Sequence, residues 1–125
     1  MKSDEVKIFL LEAFDNLDLV EQHLVELESA PGNSELLQTV FRLVHTIKGN
    51  SGFLGLSRLE LLCHRAENLL DRLRSKTLAL TDDTVSALLQ FVDTTRALLD
   101  EVQQAGTDTA VPIDPALHSL TQQLG

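Results

Sequence analysis

Apolar residues near the start of the chain recur at alternating steps of four and three: Val6, Leu10, Ala13, Leu17, Val20, Leu24 and Leu27. At 3.6 residues per turn they fall on one stripe, and charged and polar residues occupy most of the remainder. Residues 4–28 therefore read as a helix that buries one face. Ser3 stands where a capping hydroxyl is needed, and Asp4 and Glu5 sit where the helix dipole favours anions. The run Ser29-Ala30-Pro31-Gly32-Asn33 breaks the pattern with turn residues. A second helix then starts from a Ser34 cap, with a stripe of Leu37, Val40, Val44, Ile47 and Ser51. Gly52 and Gly55 place the next turn at 52–57. A third helix over 57–75 buries Leu59, Leu62 or Cys63, Ala66, Leu69 or Leu70, and Leu73. Thr81, Asp82 and Asp83 signal the start of a fourth, which carries Val85, Leu88, Leu89, Val92, Leu99 and Val102 to about Ala105.

The segment 106–114 is polar and contains Pro112, so it reads as a linker. Pro115 at a first helical position, followed by Leu117, Leu120 and Leu124, suggests a short fifth helix. Long helices with short connections favour an antiparallel, up-down-up-down four-helix bundle. The expected class is all-α, with a bundle over 1–105 and a polar linker plus short C-terminal helix over 106–125. That last helix either docks on the bundle or begins an interdomain linker.

Composition agrees. A chain of 125 residues is one domain's worth, and 43% hydrophobic residues can build a core. Six Gly, three Pro and no Trp or Tyr argue against a sheet protein. The single Cys63 cannot form an internal disulfide, and neither a secretory signal nor a membrane-length apolar run is visible, so a cytoplasmic protein is expected. The net charge of −9 disfavours nucleic acid and insertion into anionic membrane, and favours basic partners.

Chemistry concentrates in Phe41-Arg42-Leu43-Val44-His45-Thr46-Ile47-Lys48-Gly49-Asn50-Ser51-Gly52. On a helix, Phe41, His45, Lys48, Gly49 and Gly52 share a stripe beside the buried one, which leaves His45 partly exposed. Gly49 in a helix interior costs about 0.8–1 kcal/mol relative to Ala. With Gly52 it is read as clearing space beside His45 for a partner's active site, and the Lys48 charge can neutralise phosphoryl oxygens in transfer. In an antiparallel hairpin, residues equidistant from the turn are level. His45 and Glu67 are equidistant from position 56, as are Lys48 and His64. Glu67 can then accept from Nδ1–H of His45, which fixes the tautomer and leaves Nε2 nucleophilic.

These residues resemble the signature of histidine phosphotransfer domains, in particular the N-terminal phosphotransfer domain of CheA-type chemotaxis kinases. The likeness rests on His45-Thr46-Ile47-Lys48-Gly49 preceded by Phe41-Arg42, on Phe9, Glu12, Ala13 and Leu17, on Ser51-Gly52-Phe53-Leu54-Gly55-Leu56, and on His64 with Glu67-Asn68-Leu69-Leu70. It covers residues 4–105. Asn50 departs from the small residue usual in the family. The resemblance implies that His45 accepts a phosphoryl group, Glu67 orients it, and Lys48 and His64 support the polar cluster. It also implies two partners: the ATP-binding domain of a histidine kinase, and a CheY-like response-regulator receiver domain. ATP and Mg²⁺ would belong to those partners, so no cofactor is expected in this chain, and the isolated domain is not expected to be an enzyme.

Other assignments are weaker. Cys63 beside His64 lacks the second Cys or paired His of a metal site, so no metal is expected. No Gly-rich phosphate loop is present. Phe14, outside the inner stripe, and Phe41, one turn from His45, are candidate docking residues for a regulator. Two alternatives remain open at this level: a free-standing phosphotransfer protein of a multistep relay, and a helical adaptor with no use for the imidazole.

Overall fold

A computed structural model describes residues 3–125. Five helices follow in chain order: α1 (Asp4–Ser29), α2 (Ser34–Phe53), α3 (Ser57–Arg74), α4 (Asp82–Ala105) and α5 (Asp114–Leu124). The first three pack in sequence, α3 packs on α4, and α4 returns to α1, which closes a four-helix bundle. The anticipated stripe of α2 is buried residue for residue: Leu37, Val40, Val44, Ile47 and Ser51. The buried polar member, Ser51, is satisfied by donating to the Ile47 carbonyl at 2.6 Å.

Several helix ends are built as their sequence suggests. The Ser3 hydroxyl accepts from the Val6 amide, and Thr81 and Thr84 form a reciprocal capping box at the start of α4. The cap of α2, however, is Asn33 and not Ser34. Asn33 is extended, and its Oδ1 accepts from the amides of Glu35 and Leu36 at 3.1 and 3.2 Å, so Ser34 is already in the first turn.

Burial is wider than a single stripe where a helix meets several neighbours. Helix α4 touches α1, α3 and α5, and accordingly buries Phe91, Thr95 and Leu98 as well, while Leu89 is only half-covered. In α1, Phe9 is buried beside Leu10, and Val6 near the helix start is half-covered.

The fifth helix docks. Ala116 and Leu120 join the single core, and α5 lies against α3 and α4. The preceding residues, 106–113, are tied down rather than loose. One Glu101 carboxylate accepts from the Thr107 hydroxyl and from the amides of Thr109, Ala110 and Val111, which holds its pKa down at about 2. Its contribution is complete above the ordinary carboxylate range and is lost as pH falls toward 2.

Asp108, 5% exposed, serves a different helix. Helix α3 has no side-chain cap of its own, and Asp108 Oδ2 accepts from the amides of Arg58 and Leu59 at 2.8 and 2.9 Å. The Arg58 side chain returns the favour by donating to the carbonyls of Asp108 and Val111. A residue fifty positions away thus supplies the missing cap. Asp108→Ala should destabilise the fold by about 1–3 kcal/mol, because the buried Leu59 amide and the half-buried Arg58 amide lose their acceptor. Urea denaturation monitored by circular dichroism measures this directly.

Candidate functional site

Helices α2 and α3 are antiparallel about position 56, and their side chains meet in that register. Gln38 accepts from Arg74 at 3.0 Å, His45 meets Glu67, and Gly52 faces Glu60. The register puts a carboxylate from α3 level with an imidazole on α2. His45 Nδ1 is hydrogen-bonded to Glu67 Oε2, and Lys48 donates from Nζ to Glu67 Oε1 at 2.6 Å. Both carboxylate oxygens are engaged.

Exposure divides this trio. The Glu67 side chain is only 11% exposed, whereas that of His45 is 61% exposed. Burial opposes charge on Glu67, yet the hydrogen bonds from Lys48 and His45 outweigh it and hold the carboxyl below its ordinary value. The carboxylate is therefore a fixed anion at the base of the site. An ionised carboxylate can only accept, so it selects the Nδ1–H tautomer, whose Nε2 lone pair lies on the opposite edge of the exposed ring. Among the described residues nothing hydrogen-bonds to Nε2. Cys63 lies fully buried near this cluster; burial first, and then the Glu67 charge, push its thiol far above the ordinary range, so it packs as an inert apolar group.

The other anticipated residues are distributed unevenly. His64 is exposed and makes no hydrogen bond to the described residues. Lys48, level with His64 in the register, instead crosses to the Glu67 carboxylate, whose negative charge makes it the stronger acceptor for an ammonium. Gly49 is open, with nothing within 4 Å of the space a Cβ would fill. Gly52 is different: that space is taken by the Glu60 carboxylate, 2.5 Å away, so it admits a neighbouring helix's side chain. Phe14 and Phe41 are half-buried against the core. The prominent exposed apolar groups at this end of the bundle are Phe53 at 81%, Leu11 at 70% and Ile8 at 57%. Periodicity marks Ile8 and Leu11 only as off-stripe, and Phe53 falls in the turn signal, so the groove that Ile8 and Phe53 share is visible only once α1 and α2 pair.

Comparison with known proteins decides the family. The Hpt domain family matches residues 4–107. The chain belongs to the Hpt domain family. Its relatives include the sensor histidine kinase CheAY of Helicobacter pylori, 41% identical over 116 residues, which are 93% of this chain and 14% of that protein. The chemotaxis protein CheA of Halobacterium salinarum is 37% identical over 103 residues, 82% of this chain and 15% of that one. The chain thus spans about a seventh of the length of these curated relatives. Among solved structures, the histidine phosphotransfer domain of CheA superposes with a TM-score of 0.87 at 30% identity, covering 98% of this chain and 92% of that one. The phosphorylated P1 domain of CheA3, solved in complex with CheY6 from R. sphaeroides, gives 0.90 at 28% identity, with 97% and 95% covered. An Hpt domain is a phosphoacceptor and not itself a catalyst.

In this Hpt domain the carboxylate should dictate the imidazole tautomer. Nitrogen-15 NMR of the ring should show the Nδ1–H form dominating in the wild type, and a mixture of both tautomers in Glu67→Ala. Because the Glu67 carboxyl is held below its ordinary value, the contact should persist as pH drops through the ordinary carboxylate range and fail only below it.

Proposed function

We propose that this domain carries phosphoryl groups in chemotaxis-type two-component signalling, with Nε2 of His45 as the accepting atom. The observation that carries this reading is the division of the ring: Nδ1 is engaged by a buried carboxylate while the opposite edge stands in solvent. Nε2 would attack the γ-phosphorus of ATP bound to a histidine kinase domain, forming an N–P bond as the bond to the β-phosphate oxygen breaks and ADP leaves. Positive charge then develops on the imidazole, and the Glu67 carboxylate stabilises it through Nδ1–H. In the second step a receiver-domain aspartate oxygen attacks phosphorus, the N–P bond breaks, and its electron pair returns to Nε2. Both steps need an in-line approach from outside, which an exposed ring on a rigid helix permits.

Lys48 has two uses in this scheme. It helps keep Glu67 ionised, and its ammonium stands one turn from His45, where it can turn toward the phosphoryl oxygens. ATP and Mg²⁺ enter as substrate and cofactor of the partner domains. The likeness to CheA proteins supports a CheA-type kinase core as donor, and that to a P1 domain solved with CheY6 supports a CheY-like receiver as acceptor. The carrier would work in the cytoplasm, where ATP is available; among the described residues no helix is long and apolar enough to cross a membrane.

The receiver would dock over the α1–α2 face beside His45. Its apolar contact points are better supplied by Ile8, Leu11 and Phe53 than by the half-buried Phe14. A groove of about 250 Å³ opens there between Ile8, Glu12, Asn50, Phe53 and Leu54. Phe53 lies about 12 Å along the helix from His45, within one interface.

Incubation with a CheA-type kinase core and labelled ATP should label the wild type and leave His45→Gln unlabelled. Equal labelling of both would favour a helical adaptor with another modified residue. Phe53→Ala should leave labelling intact and raise the KM for transfer to the receiver by about three- to tenfold, the loss of one apolar anchor. An unchanged KM would place docking elsewhere.

A further inference from the structure

The face of His45 is supported as well as its edge. Phe41, one helical turn earlier, lies parallel to the imidazole, with ring centroids 6.1 Å apart and planes 8° from parallel. An offset parallel stack is a favoured aromatic geometry. Phe41 is itself covered: the Arg74 guanidinium carbon sits 3.8 Å from its ring centroid. Arg74 belongs to the last turn of α3 and is fastened on two sides. Its Nε and Nη2 donate to Asp71 Oδ1 at 3.1 and 2.9 Å, and its Nη1 donates to Gln38 of α2 at 3.0 Å. The result is a column, Arg74–Phe41–His45, running along the α2–α3 seam in the same register that delivers Glu67.

Glu67 alone leaves the ring one freedom. A single hydrogen bond at Nδ1 fixes where that atom lies and still lets the ring plane swing about the contact, which moves Nε2 sideways. A surface on one face removes that swing. In-line transfer is sensitive to such displacements, because a misplacement of about 1 Å can cost about a hundredfold in rate. We infer that Phe41 is a positioning residue that sets the plane of the His45 imidazole for phosphoryl transfer, and that Arg74 is the clamp that holds Phe41 in place. Phe41 is thereby engaged by both His45 and Arg74, which agrees with its half-burial and leaves receiver docking to the exposed apolar residues Ile8, Leu11 and Phe53. The inference rests on His45 being the phosphorylated residue.

The test uses the 125-residue chain. It is phosphorylated by a CheA-type kinase core with labelled ATP, and transfer to a CheY-like receiver is followed at varied receiver concentration. Phe41→Leu keeps an apolar side chain of similar burial but removes the flat face. Phe41→Trp retains a face, and Arg74→Met keeps the stem while removing the cation and the fork. Phe41→Leu should lower the saturating transfer rate by about three- to tenfold with KM unchanged, Phe41→Trp should restore it, and Arg74→Met should fall between. Aromatic ring-current shifts of the His45 protons should be lost in Phe41→Leu and retained in Phe41→Trp. A purely structural role would lower the melting temperature without moving the saturating rate, and that outcome overturns the inference. So does an equal loss in Phe41→Leu and Phe41→Trp, or an effect confined to KM. Failure of the wild type to be labelled at His45 would instead overturn the underlying reading of the site.

Discussion

The site depends on the register of two antiparallel helices. Because α2 and α3 pair symmetrically about position 56, a carboxylate from one helix arrives level with an imidazole on the other. Slip that pairing by one residue and Glu67 rotates about 100° away from His45 around its own helix. The chemistry therefore rests on packing that looks ordinary: Val40, Val44 and Ile47 on one side and Leu59, Leu62, Ala66 and Leu70 on the other, all close to fully buried. Close-packed interiors permit few alternative registers, so the core fixes the geometry of a polar pair at its edge.

The same economy explains the C-terminal segment. Helix α3 must be held at its start as well as along its length, yet its own sequence offers Leu56 at the cap position, whose side chain has no acceptor for the first amides. Asp108 supplies the acceptor from the connection after α4, Glu101 anchors that connection, and α5 covers the outer side of α3 and α4. Arg65 and Arg72 of α3 add ties to Thr121 and to the Leu124 carbonyl of α5. The helix that bears Glu67 is thus braced on the side away from α2. A mobile α3 would let Glu67 drift, and a drifting carboxylate would neither select a tautomer nor stabilise a developing positive ring.

Much of this was legible in the residue pattern, and the parts that were not share a cause. Helix number, order and approximate ends follow from local periodicity and capping chemistry, and the α2 stripe was read without error because α2 buries one narrow face. The His45–Glu67 pair was legible because a short turn makes an antiparallel register calculable. Contacts that join elements distant in sequence left no local trace. Asp108 in a Gly/Thr/Pro-containing stretch has the composition of a linker residue, and only its arrival at the start of α3 shows it to be a cap. Gly52 and Gly49 look alike along the helix, yet one accommodates Glu60 and the other faces open space. Phe41 reads as a docking aromatic because it lies one turn from His45, whereas the approach of Arg74 over its ring joins residues distant in sequence and leaves no local sign.

The direct measurement is the attachment point of phosphorus on the ring. Phosphorus-31 and nitrogen-15 NMR of the chain, labelled at histidine and phosphorylated by a CheA-type kinase core, resolves which nitrogen carries the phosphoryl group through one-bond coupling. Engagement of Nδ1 by Glu67 requires phosphorus on Nε2 of His45 alone. Phosphorus on Nδ1, or spread over both nitrogens, would contradict it.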